Sequence, residues 1–244
     1  MTAIFVTSTG TDIGKTFVTA GLIRHLRASG RIVEALKPVV TGFDPTTAAN
    51  SDPGVLLTAL GRPASLEEIA KISPWRYRAA LSPDMAARRE GSAVDFAQLG
   101  KFSLRAILTR RDVLFVEGVG GVMAPLDAEH TVLDWMVIMR LPLILVAGSY
   151  LGTISHTLTA LDALMRRELT VLTVVVNETE GSAVPLDDTV DSIRRFVHPI
   201  NVLPVPRMAG GADSAALAEA LGGGRRGRSN SATAVSSDVR FRSA

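Results

Sequence analysis

Thr9-Gly10-Thr11-Asp12-Ile13-Gly14-Lys15-Thr16 follows the short apolar run Ala3-Ile4-Phe5-Val6 and precedes a segment with helical spacing. Strand, glycine-bearing loop, Gly-Lys-Thr and helix together make a phosphate-binding loop. Its backbone N–H groups and the helix N-terminus cradle phosphate oxygens, the lysine reaches the outer phosphates, and the threonine hydroxyl can ligate Mg²⁺. The usual pattern has a glycine five residues ahead of Gly14, where this chain has Thr9. The flanking strand and helix therefore carry the reading more than the letters do. It assigns Asp12, Ile13, Gly14, Lys15, Thr16 and Phe17 to a nucleoside triphosphate, with Lys15 also acting in catalysis.

Outward from this loop, six apolar runs lack the alternation of half-exposed strands: Ile4–Val6, Ile32–Leu36, Val113–Val116, Leu143–Ala147, Val171–Val176 and Val202–Val205. Continuous runs fit strands buried on both faces of a parallel sheet. Segments of helical spacing lie between them, including Phe17–Ser29 and His156–Arg167. The βαβα alternation predicts a doubly wound, mostly parallel α/β fold of the P-loop nucleoside triphosphate hydrolase type, with chemistry at the carboxyl ends of the strands. Residues 42–75 read as an irregular active-site insertion holding one short helix around Leu66–Lys71.

Composition narrows the function classes. At 244 residues and 47% hydrophobic content the chain suits one domain with a sizeable core. No apolar run reaches the ~18–20 residues of a membrane span, and the N-terminus reads as strand and loop rather than signal peptide. A cytoplasmic protein with no membrane partner is expected. The absence of cysteine excludes disulfides, thiolate metal sites and cysteine nucleophiles. The net charge of +2 is carried unevenly, because residues 223–244 hold five Arg and one Asp. The body is then close to neutral, and no basic face suggests nucleic acid. The expected division is a catalytic domain over 1–222 and a basic, flexible tail over 223–244. Only four basic residues are lysine, at 15, 37, 71 and 101. Two of these four lie at candidate phosphate positions.

Two further motifs follow strands. Asp112-Val113-Leu114-Phe115-Val116-Glu117-Gly118-Val119-Gly120-Gly121 is a buried run ending in an acid and a glycine turn. A carboxylate at such a strand tip helps hold Mg²⁺ in phosphate-loop folds, here Glu117. Gly118, Val119 and Gly120 join it on the nucleotide side. In Leu36-Lys37-Pro38-Val39-Val40-Thr41-Gly42, Pro38 ends central-strand pairing. Lys37 and Thr41 then emerge beside the first loop, and Lys37 brings a second positive charge to the γ-phosphate.

In their order, Phe-Val-Thr with Gly-Lys-Thr, Lys-Pro-Val with Thr41-Gly42, Asn50-Ser51-Asp52, Val-Glu-Gly with Gly120-Gly121, and Leu151-Gly152-Thr153-Ile154-Ser155-His156 resemble the dethiobiotin synthetase family over roughly residues 1–210. The resemblance implies ATP, Mg²⁺, CO₂ and 7,8-diaminononanoate, which together yield a cyclic urea by way of a carbamate and a carbamic-phosphoric anhydride. It implies Thr16, Asp52 and Glu117 as metal ligands, Lys37 as a catalytic contact to carbamate and γ-phosphate, and Thr11 and Thr41 on the substrate. Asn177 would read the base, with Pro206, Arg207 and Met208 as the far wall of its pocket. Leu151, Gly152, Thr153, Ile154 and Ser155 would receive the substrate carboxylate from the second subunit of a homodimer. The chain departs from the family at Ser8-Thr9-Gly10, where the loop usually begins Gly-Thr-Asp, and at Leu81-Ser82-Pro83-Asp84, where Ala-Pro-His is common. The alternative is a P-loop ATPase or nucleotide-binding regulator without ligase activity. Thr11 stands where the partitioning ATPases of that kind use a second lysine.

Overall fold

The computed structural model describes residues 1–207. Strand β1 (Thr2–Ser8) runs through the loop into helix α1 (Lys15–Ala28), which is followed by β2 (Val33–Leu36) and the short β3 (Val39–Val40). A 3₁₀ turn (Pro45–Asn50), α2 (Asp52–Ala59), α3 (Leu66–Ile72), β4 (Trp75–Arg76), α4 (Pro83–Arg89) and α5 (Phe96–Thr109) lead to β5 (Val113–Glu117). The order then alternates: α6 (Val132–Met139), β6 (Leu143–Gly148), α7 (Thr153–Arg166), β7 (Val171–Asn177), α8 (Leu186–Val197) and β8 (Asn201–Val205).

Six strands form one parallel sheet in the order β2-β5-β1-β6-β7-β8. All six apolar runs of the sequence are strands in it, with ends shifted by a residue or two. Ile32, for instance, is left outside β2 and exposed. The side-chain alternation explains why the runs are continuous. From β1, Ala3 and Phe5 enter one core together with Leu143, Leu145 and Ala147 of β6. Ile4 and Val6 enter the other core, with Ile144 and Val146. The first core is closed by α5, α6, α7 and α8, and the second by α1 and α2. The sheet is buried on both sides.

The chain leaves β1 toward β2 on one side and later fills β6 on the other, so the order reverses at β1. That opens a crevice at the carboxyl ends of β1 and β5, where ligands sit in open α/β sheets. Pro38 does end β2: the next two residues pair with β4 in a separate two-stranded sheet.

Residues 42–75 need a correction. They are not an irregular insertion with one helix, since α2 lies there too and its Leu56 and Ala59, with the capping Leu60, pack in one cluster with Val18, Leu22 and Ile23 of α1. Ser51 caps α2 by accepting from the Gly54 N–H. Gly54 lets the preceding turn fold against the helix, because a Cβ there would lie 2.3 Å from the Ala48 carbonyl oxygen. Pro53 and Gly54 mask the helical pattern in the sequence. Met208, the boundary at 222 and the tail 223–244 lie outside the described residues. Among the described residues no helix is long and apolar enough to cross a membrane.

Candidate active site

The loop between β1 and α1 is held by backbone conformations most residues avoid. Asp12 has φ +57° and Gly14 φ +93°. Gly14 is also fixed by contact: a Cβ would stand 2.3 Å from the Asn177 Nδ2. That amide donates to the Ile13 carbonyl at 3.1 Å, tying the end of β7 to the loop. α1 then starts at Lys15 with no side-chain cap, leaving its first N–H groups for an anion.

Lys37 lies at the end of β2 with 2% exposure, so it is no solvated strand-end lysine. Its Nζ is 2.7 Å from Glu117 Oε1 and 2.9 Å from Asp52 Oδ2, and it also donates to the Gly118 carbonyl at 2.9 Å. The Thr16 hydroxyl donates to the same Glu117 Oε1 at 2.6 Å. Residues from α1, β2, α2 and β5 therefore meet at one point. Burial by itself would lower the Lys37 pKa, but the charges of Glu117 and Asp52 outweigh it and hold the ammonium above its ordinary value. Burial would likewise raise Asp52, and the charge and hydrogen bond of Lys37, with the Thr16 hydroxyl, hold it below. Lys15 moves the other way, down to about 8, through burial first and then the nearby Lys37 charge.

Glu117 Oε2 is buried and has no hydrogen-bond partner. An unpaired carboxylate oxygen in the interior is costly, and a cation satisfies it. Thr16 and Asp52 stand beside it. Among the described residues no group of three or more His, Cys, Asp or Glu gathers. The donor set is two carboxylates and a hydroxyl, all oxygen, as befits Mg²⁺, which keeps several waters and binds substrate phosphates.

A cavity of about 730 Å³ opens over this cluster, lined among others by Thr11–Thr16, Lys37, Thr41, Asp52, Ser82, Val119 and Gly120. The expected Asp12, Ile13, Gly14, Lys15, Thr16, Thr11, Thr41, Lys37, Asp52, Val119 and Gly120 are thus brought together. Glu117, Gly118 and Phe17 are not in the lining; Glu117 reaches the cluster from beneath. Pro206 and Arg207 are exposed beside β7, where the Arg207 N–H donates to Glu178 at 2.7 Å and its guanidinium to Glu180 at 2.8 Å. Leu151, Gly152, Thr153, Ile154 and Ser155 are not part of this cavity's lining. Leu151 is 91% exposed, Gly152 caps α7, and the Thr153 hydroxyl is spent on the Gly148 carbonyl at 2.7 Å.

The sequence reading did not find Ala124, Val40 or Ala80 in the wall, nor the hydrogen bonds of Ser8 described below. No motif marks the wall residues. Ser8 was signalled only as a departure at the start of the loop.

A family model described as an AAA domain matches residues 2–209. A protein described as ATP-dependent dethiobiotin synthetase from Caulobacter vibrioides is 47% identical over 223 residues, covering 91% of this chain and 99% of the relative. A second so described, from Phenylobacterium zucineum, is 45% identical over 235 residues, covering 95% and 100%. The chain belongs to the dethiobiotin synthetase family. Structures similar to this chain include the MinC:MinD cell division complex of Aquifex aeolicus, at 14% identity and TM-score 0.51 over 86% of this chain and 83% of that one. The septum site-determining protein MinD with Mg-ADP from Pyrococcus horikoshii is similar at 18% identity and TM-score 0.50, covering 84% and 81%. At those identities the likeness is one of fold, the P-loop α/β sheet.

Proposed function

We propose that the chain is an ATP-dependent dethiobiotin synthetase: a ligase that closes the urea ring of dethiobiotin in biotin biosynthesis, working in the cytoplasm as a homodimer. Its substrates are 7,8-diaminononanoate, CO₂ and ATP. One amine of the diamine takes up CO₂ as a carbamate. A carbamate oxygen attacks the γ-phosphorus, ADP leaves, and the second amine displaces phosphate from the mixed anhydride to form the second C–N bond. No protein nucleophile is required, in keeping with a chain that has no cysteine.

The residues supply position and charge. Lys15 and the loop Asp12–Phe17 hold the phosphates, while Lys37 meets the charge that develops as the γ-phosphoryl moves. Thr16, Asp52 and Glu117 would hold Mg²⁺, which would supply neutralisation of the phosphate charge. Thr11 and Thr41 contact the diamine. Asn177, Pro206 and Arg207 take the base, and the 151–155 segment at the start of α7 serves the partner's substrate carboxylate. The observation that carries the reading is the meeting of Lys37, Glu117, Asp52 and Thr16 beneath the phosphate loop, in a chain whose full-length relatives bear this name.

The test is a mass-spectrometric product assay with diaminononanoate, bicarbonate, Mg²⁺ and ATP. Dethiobiotin and ADP in equal amounts are expected. ADP without dethiobiotin, formed at a rate the diamine does not affect, would instead make the chain an ATPase.

A further inference from the structure

Lys15 does not reach into open space. Its Nζ lies 2.9 Å from the Gly120 carbonyl oxygen, 3.0 Å from Ser8 Oγ and 3.3 Å from the Gly10 carbonyl oxygen, and the residue is 7% exposed. An ammonium has three N–H donors. Here three acceptors take them all, and an exchange is needed before the lysine can serve a phosphate.

Ser8, at the end of β1, is completely buried. Its own hydroxyl is 2.5 Å from the Gly10 carbonyl and 3.0 Å from that of Gly120. One hydroxyl hydrogen can serve either carbonyl while a lone pair accepts from Lys15. We propose that Ser8 is a positioning residue that parks the Lys15 ammonium against the loop until nucleotide arrives, and so sets nucleotide affinity. This rests on the reading of the loop as the nucleotide site.

The direction follows from comparing the two states. The bond from Ser8 to a carbonyl exists with or without nucleotide and cancels. The two carbonyl bonds of Lys15 go to backbone oxygens of Gly10 and Gly120, so whatever becomes of them on binding is the same for any residue at 8. Only the bond from Lys15 to Ser8 is both lost on binding and dependent on residue 8. Removing it raises the free energy of the unliganded state alone and tightens binding. A glycine at this position offers no side-chain acceptor.

The experiment is calorimetric titration of the Mg²⁺ complex of β,γ-methylene-ATP into the full chain and its variants. Ser8→Ala and Ser8→Gly should each bind about fivefold more tightly, the effect of one ordinary hydrogen bond. In a Lys15→Met background the same Ser8 changes should have no effect, which a general loosening of β1 would not produce. Unchanged or weaker binding in both Ser8 variants, or an equal gain with and without Lys15, overturns the proposal. If Lys15→Met alone binds as tightly as the unaltered protein, the nucleotide-site reading itself fails.

Discussion

Lys37 is the residue on which most of the site depends. Its ammonium is shared between two carboxylates, and Glu117 keeps one oxygen unsatisfied behind it. Lys37→Gln is expected to lower kcat by about 10²–10³, the usual loss when one preorganised contact to transition-state charge is removed. Lys37→Arg should not restore it, because a planar fork cannot replace a compact ammonium in a closed space. Truncating one partner of a buried ion cluster also costs about 3–5 kcal/mol of stability. A lowered urea midpoint should therefore accompany the rate loss. Glu117→Gln is expected to raise the Mg²⁺ concentration needed for half-maximal rate, and normal metal dependence would make the carboxylate structural. The sequence announced these residues by strand-tip position and family motif, but not their mutual contacts. Ion pairs between residues 37, 52 and 117 depend on the end of β2, the start of α2 and the tip of β5 converging, and no periodicity records that. The three-acceptor cage around Lys15 was hidden for the same reason.

At the scale of the elements, the strands were readable because each is buried on both faces, so the apolar pattern is continuous and needs no partner to interpret. Helices were harder where capping and packing, not pattern, define them. α2 begins with Asp-Pro-Gly behind a serine cap, a sequence that reads as a turn until α1 is laid against it. α6 is a clearer case of capping: Thr131 and Asp134 form a reciprocal box, and the helix carries Trp135 edge-on to Phe5 at 4.8 Å between ring centroids. Thr131→Ala should cost about 1 kcal/mol in denaturant unfolding, with nucleotide binding unaltered. Gly14→Ala should abolish nucleotide binding while the protein stays folded, since the added methyl meets the Asn177 amide and the backbone φ is positive. Calorimetry and circular dichroism on the same sample would separate the two effects.

For the whole molecule, the proposed assembly is a homodimer. The start of α7 presents a helix end with no side-chain cap beside a leucine that is almost wholly exposed, apart from the cavity that holds Lys37. The proposed homodimer, in which this end completes the partner's site, would account for both. Lys37→Gln subunits mixed with Gly152→Glu subunits should regain part of the activity, because some mixed dimers contain one intact composite site. Mixtures that stay inactive although mixed dimers form would show that each chain works alone.

In the proposed reaction the γ-phosphoryl group passes to an oxygen that came from CO₂. Isotope transfer tests it most directly. Bicarbonate fully labelled with ¹⁸O is supplied with diaminononanoate, Mg²⁺ and ATP in unlabelled water, and the released phosphate is weighed by mass spectrometry after a rapid quench. One ¹⁸O per phosphate, with label retained in the urea carbonyl of the product, is the predicted result. Phosphate carrying no label would mean that water, not carbamate, receives the phosphoryl group, and would contradict the account.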